Sequence, residues 1–168
     1  MGFRPICDFW LMARPKVKYY GAFPSGFLWR AKTLLGDTSN LCHLCSGMVE
    51  GEGFKIDLDP AVSPDLVADA TDTGIEDDRF SAVLCDAPYT QEDAENYRFP
   101  DLPTPNMLLK EALRIVKVGG RVGFLHYICP RPPKNAKFVA CIALLVGFNN
   151  RVRLYSVFEK TSKAGNTK

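Results

Sequence analysis

No apolar stretch in this 168-residue chain approaches the roughly 18 residues that a membrane-spanning helix needs. The first residues, Met1–Lys16, hold a short apolar patch but no compact hydrophobic region with a small-residue cleavage site. A soluble, cytoplasmic protein is therefore expected. Internal repeats are missing, and so is any low-complexity tract apart from a polar tail (160–168), which is expected to fray. At 18.7 kDa the chain has the usual size of one domain, so a single unit over 1–168 is expected. Its 46% hydrophobic and 24% charged residues exclude a mostly disordered or collagen-like chain.

A second cysteine pair is also lacking. The six Cys lie at 7, 42, 45, 85, 129 and 141, most of them inside apolar runs. Cys42-His43-Leu44-Cys45 is a lone C-x-x-C with no partner pair at zinc-site spacing. If 41–45 is a strand, Cys42 and Cys45 point to opposite faces, which is wrong for sharing one metal. Buried free thiols and no metal are expected.

The net charge of +2 conceals a partition along the chain. Residues 1–49 carry +4, residues 50–109 carry −12 and residues 110–168 carry +10. Two basic blocks around an acidic middle suit a cationic surface for nucleic acid, with acidic groups facing a cofactor or base. Solvated loop charges explain the same composition.

After a basic N-terminal arm (1–21), Ser25 is expected to cap a helix whose apolar face is Phe27, Leu28, Ala31, Leu34 and Leu35, closed by Gly36. Leu41–Cys45, Phe54–Leu58, Leu66–Ala68 and Phe80–Cys85 then read as strands, each ending in a polar loop. Thr104 caps and Pro105 starts the clearest helix, with Leu108, Leu109, Ala112, Leu113 and Val116 as its stripe and Gly119-Gly120 as its stop. Arg121–Tyr127 follows as a strand. Val139–Phe148 and Arg151–Phe158 flank Asn149-Asn150 and are expected to form an antiparallel hairpin. The competing reading of this region is a buried helix over 135–146, capped by Asn135 and ended by Gly147. The pattern predicts a three-layer α/β domain with a mostly parallel sheet, whose ligands bind at the carboxyl ends of the strands.

Those ends read Cys45-Ser46-Gly47, Asp57-Leu58-Asp59, Asp69-Ala70 and Asp86-Ala87-Pro88-Tyr89. A glycine-bearing loop lets a ligand approach the backbone. An acidic residue closing the next strand can take both hydroxyls of a ribose, and a third can accept from an adenine amino group. One such Asp is more often a turn former, but three on consecutive strands favour an adenosine-containing cofactor. Asp86 offers an acceptor, Pro88 a stiff turn and Tyr89 a flat π face, the parts needed to hold a planar base bearing an exocyclic amine.

In these residues the chain resembles the class I S-adenosylmethionine-dependent methyltransferases, particularly the amino-methylating group with a D/N/S-P-P-Y/F motif. The resemblance covers roughly 22–158. Phe23-Pro24-Ser25-Gly26-Phe27 is similar to the element upstream of the cofactor loop, and Leu41–Gly47 to the first, glycine-bearing motif. Asp57 and Asp69 fall where ribose and adenine contacts are expected, and Leu113–Arg121 resembles the passage before the fifth strand. The resemblance thus implies a Rossmann-like fold and S-adenosylmethionine as cofactor, held by Phe23, Pro24, Cys45, Ser46, Gly47, Asp57, Leu58, Asp69, Ala70 and Asp86. Ala87 replaces the motif's first proline but keeps the backbone carbonyl that makes the implied contact. Only the eight residues Met48–Lys55 lead from the glycine loop into the next strand, so the first crossover helix is expected to be missing or shortened.

The implied reaction is methyl transfer to an exocyclic nitrogen, with adenine N6 in DNA or RNA as the leading acceptor. Asp86 and the Ala87 carbonyl accept the two amino hydrogens, Pro88 shapes the turn, and Tyr89 stacks on the base. His126 and Tyr127 close the fifth strand beside it. Lys16, Lys18 and Arg131, among basic and aromatic neighbours, are candidates for phosphate and stacking contacts. A protein glutamine amide as acceptor and a non-catalytic nucleic-acid or partner-binding module are the alternatives. A homodimer or a partner subunit for target recognition is left open, because no interface stripe marks either.

Overall fold

Phe80–Cys85 is apolar apart from Ser81, and all six residues are buried. A strand hides both faces only in the interior of a sheet covered on both sides. The computed structural model describes residues 4–16, 22–96, 101–147 and 151–163. The strands are β1 (Ile6–Met12), β2 (Leu41–Leu44), β3 (Phe54–Asp57), β4 (Leu66–Val67), β5 (Phe80–Cys85), β6 (Val116–His126), β7 (Ala136–Val146) and β8 (Val152–Lys160). The helices are α1 (Phe27–Leu35), α2 (Gln91–Asn96) and α3 (Pro105–Ile115), with a 3-10 turn over Pro60–Val62. Among these residues no helix is long and apolar enough to cross a membrane.

One sheet results, ordered β1-β7-β8-β6-β5-β2-β3-β4. Strands β2 to β6 are mutually parallel, β8 is antiparallel to β6 and β7, and β1 lies parallel to β7 at the open edge. The order turns back between β2 and β5, where open α/β sheets form a crevice beyond their carboxyl ends. Alternation along β5 divides the core. Ala82 and Leu84 face α1 and Tyr155, whereas Val83 and Cys85 face α3.

Helix α3 follows the local rules closely. The Thr104 hydroxyl accepts from the Met107 N–H at 3.3 Å, and Pro105 occupies the first turn, where no intrahelical donor is needed. Leu108, Leu109, Ala112 and Leu113 are all buried, each large one contributing roughly 1.5–3 kcal/mol. The helix passes directly into β6 at Val116, so Gly119-Gly120 lie inside the strand instead of stopping the helix. They serve an irregularity in the pairing with β5: Gly119 takes φ +83°, and a Cβ on Gly120 would stand 2.5 Å from the Ser81 carbonyl oxygen.

Several sequence expectations need correction. Gly26, in a left-handed conformation, caps α1, while the Ser25 backbone is bridged to Ala13. Part of the stretch read as a basic arm is strand β1, because Ile6, Phe9, Trp10 and Leu11 pair in register with the apolar β7. Residues 135–146 form no helix, since β7 pairs antiparallel with β8. Lys160, counted with the tail, closes β8 with its side chain 2% exposed, and its ammonium donates to the Arg114 and Val116 carbonyls and to Asp78. That places a cation at the carboxyl end of α3, where the helix dipole favours it. The Asn149-Asn150 turn lies outside the described residues. Residues 45–53 join β2 to β3 without a helix, as the spacing predicts.

Candidate active site

Parallel strands β3, β2, β5 and β6 end at one edge, and that edge gathers most of the polar residues singled out above. The Asp86 N–H donates to the Leu44 carbonyl at 3.3 Å, and the Ser46 N–H to the Ile56 carbonyl at 3.0 Å. Asp86 therefore adjoins the glycine loop, and the loop adjoins Asp57. The carboxylate of Asp57, 6% exposed, accepts from the Gly47 N–H at 2.7 Å and from the Asp59 N–H at 3.0 Å. These charge-assisted bonds fold the loop back over β3. Cys45 begins the loop at φ +57° and Gly47 follows at φ +50°. A non-glycine residue in that region stores strain, which concentrates where surroundings over-determine the backbone. The space above Gly47 is open, with no atom within 4 Å of where a Cβ would stand.

Leu58 is half-buried, and Ala70 is buried at the next turn. Asp69 is exposed, and one of its oxygens accepts both the N–H and the hydroxyl of Thr71, each at 2.8 Å. It is a turn former first. The Ala68 N–H, bonded to the Asp57 carbonyl at 3.0 Å, brings that turn beside the second strand's end.

Phe23 and Pro24 line an open depression of about 320 Å³ with Ser25, Gly26, Leu28, Trp29 and Lys16. Val49 and Glu50, just beyond the glycine loop, form its other wall. The sequence-expected upstream element and the glycine loop are thus brought together. Lys16 is exposed at this rim, and Lys18 lies outside the described residues. Asp57, Asp86 and Tyr89 are not among the described lining residues.

Just past β5, Ala87 and Pro88 are buried and hold the turn. The Tyr89 hydroxyl donates to the Asp86 carboxylate. Burial pushes the Asp86 carboxyl up to about 6, against the Tyr89 hydrogen bond and the nearby Arg153 guanidinium, which both favour the charged form. Burial also raises the Tyr89 phenol, and the Asp86 charge adds to the effect. The Tyr89 ring lies 4.7 Å from that of Tyr127 and 5.2 Å from that of His126. His126 is 3% exposed, and its burial lowers its pKa. Its Nδ1 accepts from the Ile128 N–H at 2.9 Å, which puts the proton of the neutral ring on Nε2. Arg131 is exposed in the loop after β6, so the geometry gives it no defined contact with this corner.

Sequence reasoning missed Arg153. Because β8 runs antiparallel, its first residues come to the same edge as the ends of β5 and β6, and Leu154 pairs with His126. The Arg153 guanidinium lies close to Tyr89 and Asp86, and that of Arg151 close to Tyr127. The alternating Arg151-Val152-Arg153 was a visible signal, but a signal of direction only once the hairpin is known. Helix α2 was also missed. Its sign was Thr90-x-x-Asp93, where Thr90 Oγ1 accepts from the Asp93 N–H and the Asp93 carboxylate from the Thr90 N–H, each at 3.1 Å. All six cysteines are free thiols, with Cys42, Cys45 and Cys85 buried. Among the described residues no group of His, Cys, Asp or Glu is placed to hold a metal ion.

No protein-family model and no curated protein matches the sequence. Solved structures do. TrmN from Thermus thermophilus superposes on 84% of this chain with 50% of its own length, at a TM-score of 0.62 and 15% identity. A protein of Listeria monocytogenes described as a class I S-adenosylmethionine-dependent methyltransferase matches 85% of this chain with 60% of its own, at a TM-score of 0.50 and 16% identity. The chain thus spans about half the length of the first and somewhat more of the second. At such identities the likeness is one of fold: a Rossmann-like methyltransferase architecture closed by an antiparallel hairpin.

Proposed function

We propose that the chain is an S-adenosylmethionine-dependent methyltransferase acting on an exocyclic amine, with adenine N6 of DNA or RNA as the leading acceptor. The observation that carries this reading is the position of Asp86-Ala87-Pro88-Tyr89. It closes the central strand β5, and its backbone is bonded to the strand that leads into the glycine loop.

The residues present fit the cofactor. Each Asp57 oxygen accepts one N–H and keeps a second lone pair, and the space over Gly47 is open for a ligand. In this reading Gly47 and Asp57 hold the ribose side, Ala70 and the Asp69 turn border the adenine, and Phe23 and Pro24 wall the remainder. S-adenosylmethionine supplies an activated methyl group on a sulfonium sulfur. The protein's main task is then alignment. An exocyclic amino nitrogen is a poor nucleophile because its lone pair is delocalised into the ring. Asp86 and the Ala87 carbonyl accept its two hydrogens and draw it toward tetrahedral geometry. The ionised Asp86 also favours the positive charge developing there. Tyr89, Tyr127 and His126 form the aromatic wall on which a base stacks, and Tyr89 yields its bond to Asp86 as the amine arrives. A base in a duplex must be flipped out first, at a few kcal/mol, and a single strand at less. Exposed Lys16, Arg131 and Lys134 supply phosphate contacts.

A specific observation favours a second reading. Asp57 already satisfies the backbone of two residues, so the fold could stand as a binding module that takes no cofactor. Calorimetric titration with S-adenosylmethionine separates the two, since the module gives no binding heat. Expression in a host without adenine methylation, followed by nucleoside mass spectrometry of DNA and RNA, identifies the acceptor. N6-methyladenosine or its deoxy form, absent from an Asp86→Ala control, is the expected product. Cofactor binding with methyl groups found only on protein amides would overturn the nucleic-acid assignment.

A further inference from the structure

Away from this edge, the sheet brings three cysteines together on the far side of β8. Strands β1 and β7 pair parallel with Cys7 directly opposite Cys141, so both side chains leave the sheet on the same face. Cys129, in the loop after β6, lies near enough to influence the Cys141 thiol. The Cys141 sulfur also lies 4.0 Å from the Ser156 hydroxyl. The three differ in access: Cys7 is exposed on the edge strand, while Cys129 and Cys141 are half-buried.

We propose that Cys7, Cys141 and Cys129 form a redox modification site in which a peroxide oxidises Cys7 and Cys141 closes a disulfide with it. Hydrogen peroxide reaches the exposed thiol first; burial holds the Cys141 thiol above its ordinary pKa and away from direct attack. The O–O bond breaks as the Cys7 sulfur takes one oxygen, leaving a sulfenic acid and one water. The Cys141 sulfur then attacks the Cys7 sulfur, and the S–O bond breaks. The departing oxygen leaves with the Cys141 proton as a second water. Two thiols lose two electrons, and both peroxide oxygens end as water.

Backbone geometry permits the bond. Paired strands lie about 4.8 Å apart, inside the roughly 4.4–6.8 Å between Cα atoms that a disulfide spans. Strand β1 is the edge strand of the sheet and pairs with β7, so it can shift outward by the few tenths of an ångström that bring the pair nearer the usual disulfide separation. Cys129 supplies a third step. Its thiol attacks Cys141, the Cys7–Cys141 bond breaks, Cys7 leaves as a thiolate, and the cross-link moves to the loop two residues beyond Tyr127. A dithiol reductant reverses either bond. The site therefore ties down first the strand that leads toward Phe23 and Pro24 and then the loop behind the aromatic wall. It stands independently of the methyl-transfer reading.

The test is peptide mapping of the intact chain under non-reducing conditions, after limited hydrogen peroxide and alkylation of free thiols. The expected products are Cys7–Cys141 at early times and Cys129–Cys141 later, while Cys42 is alkylated only after denaturation. In Cys141→Ser both cross-links vanish, and a sulfenic acid accumulates on Cys7, where a cyclic 1,3-diketone traps it. Circular dichroism confirms that this variant is folded. The proposal is overturned if peroxide leaves Cys141 alkylatable in the wild-type chain while Cys7 is oxidised. It is equally overturned if Cys7 cross-links only to a second molecule.

Discussion

The strands on either side of β2 each end in a carboxylate, and the two are held in opposite ways. Asp57, at the end of β3, is spent on its own backbone: it clamps Gly47 and Asp59 and fixes a loop that has no helix behind it. Asp86, one residue past β5, bonds no backbone amide of its own loop; its side chain is held by the Tyr89 hydroxyl, with Arg153 nearby. Burial raises its pKa to about 6, which in the proposed reading suits a group that changes partners. Around Asp86 the architecture is complete, with α2 and two further aromatic rings. Around Asp57 it is reduced to a short loop. On the proposed reading the acceptor corner is thus built for exchange and the cofactor corner for rigidity.

The largest expected effect comes from breaking the exchanging side. Asp86→Ala should lower methyl transfer by about 100-fold or more, the scale seen when one oriented electrostatic group is removed. S-adenosylmethionine affinity measured by calorimetry should stay nearly constant. A parallel loss of affinity would show that Asp86 holds the cofactor instead of the amine.

The rigid side should fail differently. Asp57→Ala removes two hydrogen bonds to a charged acceptor, those from the Gly47 and Asp59 amides. The expected cost is about 1.5–3 kcal/mol per bond at most, read by urea denaturation. Cofactor affinity should fall with it. If stability is unchanged, the loop is held by something other than this carboxylate.

The pH dependence sharpens the contrast further. The folded-state value of Asp86, about 6, lies above its ordinary 3.8. The stability it contributes is therefore fully present below about 3.8 and lost as pH rises through about 6. In the proposed reaction activity needs the ionised form, so it should rise over the same window in which stability falls. In Asp86→Asn the stability slope between pH 4 and pH 7 should flatten, which thermal melts across that range would report. A variant that keeps the full slope would assign the proton to another group.

Much of this was legible from residue order alone. The alternation and capping of Thr104–Leu113 gave α3, and the apolar run before Asp86 placed it correctly at a strand end. The missing crossover helix followed from chain length, because the residues after Gly47 are too few for one. What stayed hidden depended on partners distant in sequence. Nothing local says that Ile6–Met12 pairs with β7, that Lys160 reaches the end of α3, or that Arg153 arrives beside Tyr89. Each needs the antiparallel return of β8. Residue order also does not show that Asp69 bonds Thr71, a contact a short carboxylate makes within its own turn.

The smallest effects should separate the two groups that favour the charged Asp86. The Tyr89 hydroxyl donates to the carboxylate and stabilises its ionised form, and the Arg153 charge does the same more weakly. Tyr89→Phe keeps the aromatic ring but removes the donor, so the activity midpoint should move to higher pH while the aromatic wall stays intact. Arg153→Gln should move it in the same direction by less, and higher salt should mimic only the arginine change, because screening acts on charge at a distance more than on a direct hydrogen bond. If Arg153→Gln shifts the profile more than Tyr89→Phe, the arginine is the main partner of Asp86 and the hairpin, not the β5 turn, sets its proton affinity. A midpoint that moves in neither variant would mean that burial alone poises the carboxylate.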